Sequence, residues 1–187
     1  MELSIVIPAR NEMFLARTIE DIIQHAEAET EIIAVLDGQW AEPGIPQHPM
    51  VNVIYVPESV GQRAATNLAA KLARGKYVAK VDAHCTFEQG FDKKMIEAFK
   101  VAGDDVTMAP VMKNLWAFDW ICPDGHTRYQ GPSGPCLECS TENHSHRDNA
   151  RTPECKTCGK ETTRDMKWIA KKRPNSASFC FDAEPHF

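Results

Sequence analysis

The sequence predicts an α/β fold, a mostly parallel Rossmann-like sheet with helices on both faces, joined to a small zinc-binding insertion. Short apolar runs alternate with amphipathic helical stripes over residues 3–111. Beyond them lies a segment, residues 122–160, that is rich in Pro, Gly, Ser, Asn, Cys and His and has no apolar period. A chain of 187 residues is long enough for one domain with such an insertion.

The strands are predicted from apolar runs that are short, nearly continuous and rich in β-branched residues. Five of them lie in the first part of the chain: Leu3–Pro8, Ile32–Leu36, Val51–Val56, Tyr77–Val81 and Val106–Val111. Two further strands are expected at Met166–Ala170 and Ser176–Phe181.

Three helices are predicted between these runs, because apolar residues spaced by three and four share one helical face. They cover Phe14–Ala26, Ala64–Ala73 with Gly75 as the C-cap, and Phe91–Phe99. Strands joined by helices pair in parallel, so their carboxyl ends meet at one edge, where ligands bind. The candidate site residues are therefore the polar ones that follow strands one, two and four: Arg10-Asn11-Glu12, Asp37 and Asp82-Ala83-His84.

Two C-x-x-C pairs separated by fifteen residues predict a structural zinc site. Its ligands would be Cys136, Cys139, Cys155 and Cys158. Each pair can bind one face of a tetrahedral zinc ion, and four protein ligands leave no position open for chemistry. His144 or His146 could replace one cysteine. A disulfide and unligated thiols are the remaining alternatives, although thiols stay mostly reduced in the cytoplasm, the expected location.

Composition and charge limit the class of partner. The net charge of −5 gives no overall electrostatic case for nucleic acid, although residues 113–173 are mildly basic. No apolar run approaches the roughly 20 residues that span a bilayer, and no signal peptide opens the chain, so no membrane partner is expected. The absence of any G-x-G motif argues against a dinucleotide dehydrogenase. The glycine-free loop after strand one argues against a nucleotidyltransferase.

Four segments, in this order, resemble the family 2 glycosyltransferases, which have the GT-A fold. They are Ser4–Glu12, Ala34–Gly38, Gly61–Asn67 continued by Ala73–Val78, and Asp82-Ala83-His84, which falls where that family carries D-x-D. The resemblance covers about residues 3–100. It implies transfer of a sugar from a nucleotide diphosphate sugar to an acceptor whose nature the residues leave open.

The resemblance also implies roles for individual residues. The nucleotide pocket would be lined by residues at the end of strand one, Pro8, Ala9, Arg10 and Glu12. Asp37 would accept a hydrogen bond from the base, commonly uracil, which makes a UDP-sugar the expected donor. Arg63 would face the diphosphate, and Asp82 with His84 would hold Mn²⁺ or Mg²⁺ on it. Read locally, Glu12 is a helix cap, Asp37 a turn residue and Arg63 a solvated helix residue.

Two departures from the family pattern bear on catalysis. His84 stands where the second Asp of D-x-D is usual, and a D-x-H motif resembles that of the retaining polypeptide N-acetylgalactosaminyltransferases. The acidic base motif of the family is not found, so no catalytic residue is assigned. The only late candidates are Asp182, Glu184 and His186. The chain is therefore expected to be a donor-binding portion that is catalytically incomplete.

The expected domain limits are 1–120 for the nucleotide-sugar-binding domain, 121–165 for the zinc insertion and 166–187 for a return to the sheet, apparently truncated. The insertion is foreign to most family members and is similar to those of phage-type relatives. The alternative function is a binding module on an inactive GT-A scaffold. In it, the zinc insertion and nearby basic residues would bind nucleic acid or a protein: Lys167, Lys171, Lys172 and Arg173.

Overall fold

A computed structural model describes residues 1–129 and 154–174, which fall into two compact units divided between Met108 and Ala109. The first unit contains a four-stranded parallel sheet in the order β3-β2-β1-β4. Its strands are β1 (Leu3–Ala9), β2 (Thr30–Asp37), β3 (Val51–Val56) and β4 (Tyr77–Lys80). Each begins and ends within two residues of the strand that the sequence predicts.

Helices cover both faces of this sheet, as expected. They are α1 (Leu15–His25), α2 (Gln62–Leu72) and α3 (Phe91–Ala102). Alternate β1 side chains point to opposite faces. Ile5 and Ile7 pack with Ile19 of α1 and Ile96 of α3, whereas Val6 packs with Ala65 of α2. The prediction of an α/β sheet with helices on both faces is therefore confirmed.

The prediction of a strand at 106–111 is wrong. These residues have no regular structure, and Val111 is 80% exposed, so this apolar run buries little surface among the described residues. The strand lies further along, as β5 (Lys113–Ile121). It was missed because the polar residues Lys113, Asn114 and Asp119 interrupt its apolar residues, so the segment shows neither a continuous apolar run nor strict alternation.

The second unit holds an antiparallel sheet in the order β6-β5-β7, completed by β6 (Thr127–Tyr129) and β7 (Thr163–Pro174). The predicted strand at Met166–Ala170 lies within β7. A bulge interrupts the β5–β7 pairing where Trp168 has a φ of 52°. Because β5 pairs with β7, residues 113–121 belong with this unit. The predicted strand at Ser176–Phe181 lies outside the described residues. The domain limits 1–120, 121–165 and 166–187 remain a prediction.

Gly75 is not the C-cap of α2, because the helix ends at Leu72 with Ala73 as its cap. It is instead the point of closest approach to β1. A Cβ atom there would lie 2.5 Å from the amide nitrogen of Ser4. The Gly75 amide donates to Ser4 Oγ (2.8 Å), and Ser4 Oγ donates to the buried Glu31 carboxylate (2.7 Å). Glu31 also pairs with Arg74 (2.6 Å), so this contact joins three segments.

Replacing Gly75 with alanine should lower the free energy of unfolding by about 1–3 kcal/mol, because the backbone of β1 must move to admit the methyl group. Urea unfolding followed by circular dichroism measures this. The matched control is Gly44→Ala, since a Cβ atom at Gly44 meets nothing within 4 Å. Equal stability of the two variants would contradict the close approach.

Candidate functional site

The candidate site lies at the carboxyl edge of the parallel sheet. There Ala9 of β1 is in register with Leu36 of β2, and Lys80 of β4 is in register with Val6 of β1. The chain leaves β1 through Arg10, which is exposed, and Glu12, which is half-buried. The structure thus brings the polar ends of strands one, two and four to one edge, as the sequence predicts.

Asp37, at the end of β2, is buried and holds the loop that leads into α2. Its carboxylate accepts hydrogen bonds from the Val60 amide (2.7 Å), the Gly61 amide (2.9 Å) and the Ser59 hydroxyl (2.9 Å). Burial alone would raise the pKa of Asp37, but these hydrogen bonds and the charge of Arg10 hold it below its usual value. Asp37 therefore positions the start of α2, a role that the sequence alone did not indicate.

Asp82 follows β4 at the same edge. The Val81 amide donates to the Val6 carbonyl (3.1 Å), which places Asp82 beside the end of β1. Its side chain is 49% exposed and forms an ion pair with Lys80. Ala83 is buried in the core, and His84 is half-buried. The D-x-H motif is thus fixed by its middle residue.

The loop after this motif is held by α1. Thr18 Oγ1 accepts from the Cys85 amide (3.0 Å), and Asp21 accepts from the Phe87 amide (2.7 Å) and the Thr86 hydroxyl (2.9 Å). Both α1 residues are buried. The sequence placed Thr18 on the apolar face of the helix and did not identify either residue as an anchor. The signal available was a polar side chain at a core position, which must find a partner.

A shallow, open cleft of about 320 Å³ lies at the start of α2, and one of its lining residues, Lys80, is the ion-pair partner of Asp82. It is lined by Gln62, Arg63, Thr66, Asn67 and Lys80, two of which are cations and none of which is acidic. The first N–H groups of a helix have no partner within the helix, so the amino end of α2 also favours an anion. The predicted diphosphate residue Arg63 therefore lines this cleft, together with Lys80, which the sequence did not single out.

The side chains of Asp82 and His84, which follow β4, carry the types of donor atom that bind a divalent ion. Asp82 offers an exposed carboxylate and His84 an imidazole, and two protein ligands leave positions for phosphate oxygens and water. The Lys80 ammonium beside Asp82 is exchangeable, because exposed ion pairs contribute only about 0–1 kcal/mol. The imidazole favours a transition-metal ion such as Mn²⁺ over Mg²⁺, which prefers oxygen ligands.

The second unit contains a separate cluster of metal-ligand side chains, Cys122, His126, Cys155 and Cys158, whose ligand atoms all lie within 4.8 Å of one another. Two of its members are predicted zinc ligands. The other two predicted ligands, Cys136 and Cys139, lie outside the described residues. Cys122 and His126 were missed, although the sequence CPDGH offers a C-x₃-H spacing.

The electrostatic environment of the cysteine thiols in this cluster favours binding of a cation. Backbone amides of Thr157 and Cys158 lower the pKa of Cys155 to about 6. The Lys160 amide acts in the same direction on Cys158, but burial and the neighbouring sulfurs of Cys155 and Cys122 raise its pKa to about 11. Several thiolates this close repel one another unless a positive ion lies between them.

Two basic residues of the alternative binding surface, Lys167 and Lys171, have partners within the second unit. Lys167 pairs with Asp165 (2.7 Å), and Lys171 lies 4.4 Å from the centre of the Tyr129 ring. None of the helices in the described part of the chain is long and apolar enough to cross a membrane.

The parallel sheet, the helices on both of its faces and the polar residues at its carboxyl edge define an α/β protein of the GT-A type. Comparison with family models then identifies the family. The model described as glycosyl transferase family 2 matches residues 4–149, so the chain belongs to that family. Comparison with curated protein sequences gives no significant match.

Solved structures that match part of this chain include two of a Staphylococcus aureus protein. "Crystal structure of S. aureus TarS" matches with a TM-score of 0.44 and 15% identity, over 62% of this chain and 24% of that one. "Crystal structure of S. aureus TarS 1-349" matches with a TM-score of 0.46 and 16% identity, over 67% and 43%. The chain thus spans about a quarter of the first structure and less than half of the second.

Proposed function

We propose that this chain binds a nucleotide diphosphate sugar, with UDP as the nucleotide, and takes part in transferring the sugar to an acceptor. The observation that carries the proposal is the cleft where Arg63 and Lys80 face the same space beside Asp82. Membership of glycosyl transferase family 2 supports sugar transfer as the reaction.

The cleft is suited to the diphosphate. Arg63 and Lys80 are both exposed, so a ligand can reach them, and each would form charge-assisted hydrogen bonds with phosphate oxygens. When a diphosphate enters, Lys80 would exchange its carboxylate partner for a phosphate. The Asp82 carboxylate would exchange the ammonium for a divalent ion. Cation and carboxylate therefore exchange partners, which limits the net cost of breaking their ion pair.

Asp82 and His84 would hold the divalent ion, with Mn²⁺ preferred over Mg²⁺. The ion would neutralise charge on the leaving diphosphate. Thr18 and Asp21 keep the motif in place through the loop that follows it. This arrangement reduces the reorganisation needed when the donor binds.

The nucleoside would lie against the end of β1, on Pro8, Ala9, Arg10 and Glu12. Asp37 remains the proposed acceptor for uracil. A carboxylate has about four lone-pair positions, and three are used by the loop before α2, so one remains for the base. Asp37 would thus position Arg63 through the loop and contact the base directly.

Removing the charge from Arg63 or Lys80 should weaken UDP binding about tenfold or more for each variant, since a charge-assisted hydrogen bond contributes about 1.5–3 kcal/mol. The variants are Arg63→Gln and Lys80→Gln, measured by calorimetry with UDP in Mn²⁺. Lys71→Gln is the matched control, because Lys71 is an exposed cation in the last turn of the same helix.

The affinity of Lys71→Gln should stay within about twofold of the unmodified protein. If all three variants bound UDP equally well, the cleft would not be the diphosphate site. Titrations with GDP and TDP under the same conditions test the choice of nucleotide. Equal or tighter binding of either would contradict the assignment of UDP.

A further inference from the structure

We propose that Cys122, His126, Cys155 and Cys158 bind one structural zinc ion, in place of the four-cysteine site that the C-x-x-C spacing predicts. All four residues belong to the second unit. None of them belongs to the first unit, which contains the residues that line the proposed donor cleft.

Three of the six distances between ligand atoms match the edges of a zinc tetrahedron, and all six lie within 4.8 Å. Zn–S bonds of about 2.3 Å and Zn–N bonds of about 2.0 Å give edges of about 3.8 Å between two sulfurs and about 3.5 Å between sulfur and nitrogen. Cys158 Sγ lies 3.6 Å from Cys122 Sγ. His126 Nδ1 lies 3.4 Å from Cys122 Sγ and 3.8 Å from Cys155 Sγ. A disulfide requires about 2.05 Å between sulfurs, so these thiols are unbonded.

Two tight turns present the ligands. In the first, the Cys122 amide donates to the His126 carbonyl (3.1 Å), with Gly125 at a φ of 80° between them. In the second, the Gly159 amide donates to the Cys155 carbonyl (2.7 Å), and Gly159 has a φ of 70°. Left-handed backbone of this kind favours glycine, which explains a glycine beside each pair of ligands.

The sheet register brings the two turns together. Ile121 of β5 pairs with Thr127 of β6 on one side and with Thr163 of β7 on the other. Cys122 therefore leaves the middle strand next to the start of β7. An ion pair between Lys160 and Asp124 (2.5 Å) also joins the turns.

In the part of it that the structure describes, the second unit buries few apolar side chains, so a metal ion that joins its two turns would stabilise it. Among its described residues, the buried apolar side chains are Ala117, Trp120, Cys122 and Trp168. So small a set supplies little stability by burial alone, and small units of this kind are commonly held by a metal. Zinc binding would therefore supply much of the folding free energy of this sheet.

The experiment measures zinc per chain by elemental analysis in variants that separate the two ligand sets. His126→Ala should lose about one equivalent of zinc, and His126→Cys should retain it, because a thiolate can replace an imidazole in a structural site. Cys136→Ser and Cys139→Ser should retain the ion at this cluster. Cys85→Ser, a half-buried thiol in the first unit, is the control for loss of a cysteine.

Cobalt substitution and X-ray absorption of the unmodified protein give a readout that does not depend on a variant folding. The proposal predicts three sulfur ligands and one nitrogen ligand around the metal of the unmodified protein. In cobalt-loaded His126→Cys it predicts stronger thiolate-to-cobalt absorption, because a fourth sulfur then binds the metal. Four sulfur ligands, full zinc retention in His126→Ala, or iron in place of zinc would overturn it. Chelation should also change tryptophan fluorescence, since three of the four tryptophans lie in this unit: Trp116, Trp120 and Trp168.

Discussion

Replacing Asp92 with alanine is expected to lower the free energy of unfolding by about 3–4 kcal/mol. Asp92 is fully buried in the first turn of α3. Its carboxylate accepts hydrogen bonds from the amides of Glu27 (3.0 Å) and Ala28 (2.8 Å) and from the Thr30 hydroxyl (2.8 Å). Removing the acceptor leaves several buried donors unsatisfied, at about 1–3 kcal/mol for each that finds no water.

Urea unfolding at neutral pH measures this effect, with Glu97→Ala as the control. Glu97 is an exposed carboxylate on the same helix, and its loss should change stability by less than about 0.5 kcal/mol. Asp92→Asn should lie between the two, because the amide keeps one acceptor oxygen. A loss below about 1 kcal/mol in Asp92→Ala would show that water replaces the carboxylate.

The same carboxylate predicts the pH dependence of stability. Burial alone would raise the pKa of Asp92, but the hydrogen bonds from Glu27, Ala28 and Thr30 hold it below its usual value. A depressed pKa in the folded state means that the contribution is complete above the unfolded value of about 3.9 and is lost as pH falls through the folded value. The difference between the unmodified protein and Asp92→Ala should therefore shrink below about pH 4.

Replacing Asp82 with alanine is expected to cost about 2–4 kcal/mol in UDP affinity measured in Mn²⁺, by analogy with the loss of one preorganised electrostatic contact. That corresponds to about 30-fold to several hundredfold. The physical reason is that the proposed metal keeps only His84 as a protein ligand. The charge that offsets the diphosphate is then held less firmly.

Calorimetry with UDP in Mn²⁺ and in EDTA checks this expectation. The unmodified protein should bind UDP more tightly in Mn²⁺, and the difference between Mn²⁺ and EDTA should be much smaller in Asp82→Ala. Glu88→Ala is the control, since Glu88 is an exposed carboxylate a few residues along the same loop, paired with Lys94. Metal-independent binding by the unmodified protein would contradict the roles of Asp82 and His84.

Most of the first unit could be predicted from the sequence because its signals are local. The runs that form β1 to β4 are apolar, short and interrupted by turn residues, and the helices carry stripes of period 3.6. A parallel sheet buries both faces of its inner strands, so β1 and β2 leave an unambiguous pattern. The order of the motifs then placed the polar residues at the carboxyl edge without any knowledge of distances.

The partners of buried polar groups could not be predicted. Asp37, Asp92 and Glu31 hold loops that are distant in sequence, with partners 22–65 residues away. Nothing in the local sequence specifies which amide a carboxylate will meet. Arg63 and Lys80 likewise share one cleft only because of where α2 lies on the sheet.

The two cysteine pairs show the limit of spacing as a signal. Spacing indicates which residues can bind one metal ion, and it drew attention to Cys155 and Cys158, two members of the observed cluster. It gives no preference among the residues that join them, because strand register decides which side chains lie nearby. Cys122 and His126 reach the cluster only because β5 pairs with both β6 and β7.

The sequence by itself determined the α/β class, the family and the edge of the sheet where the site lies, because strand and helix periods and motif order are properties of neighbouring residues. The tertiary structure decided which side chains share a cleft, which carboxylates anchor loops and which thiols meet, because those contacts join segments tens of residues apart. Their energies depend on distance, burial and register, and these exist only once the chain has folded.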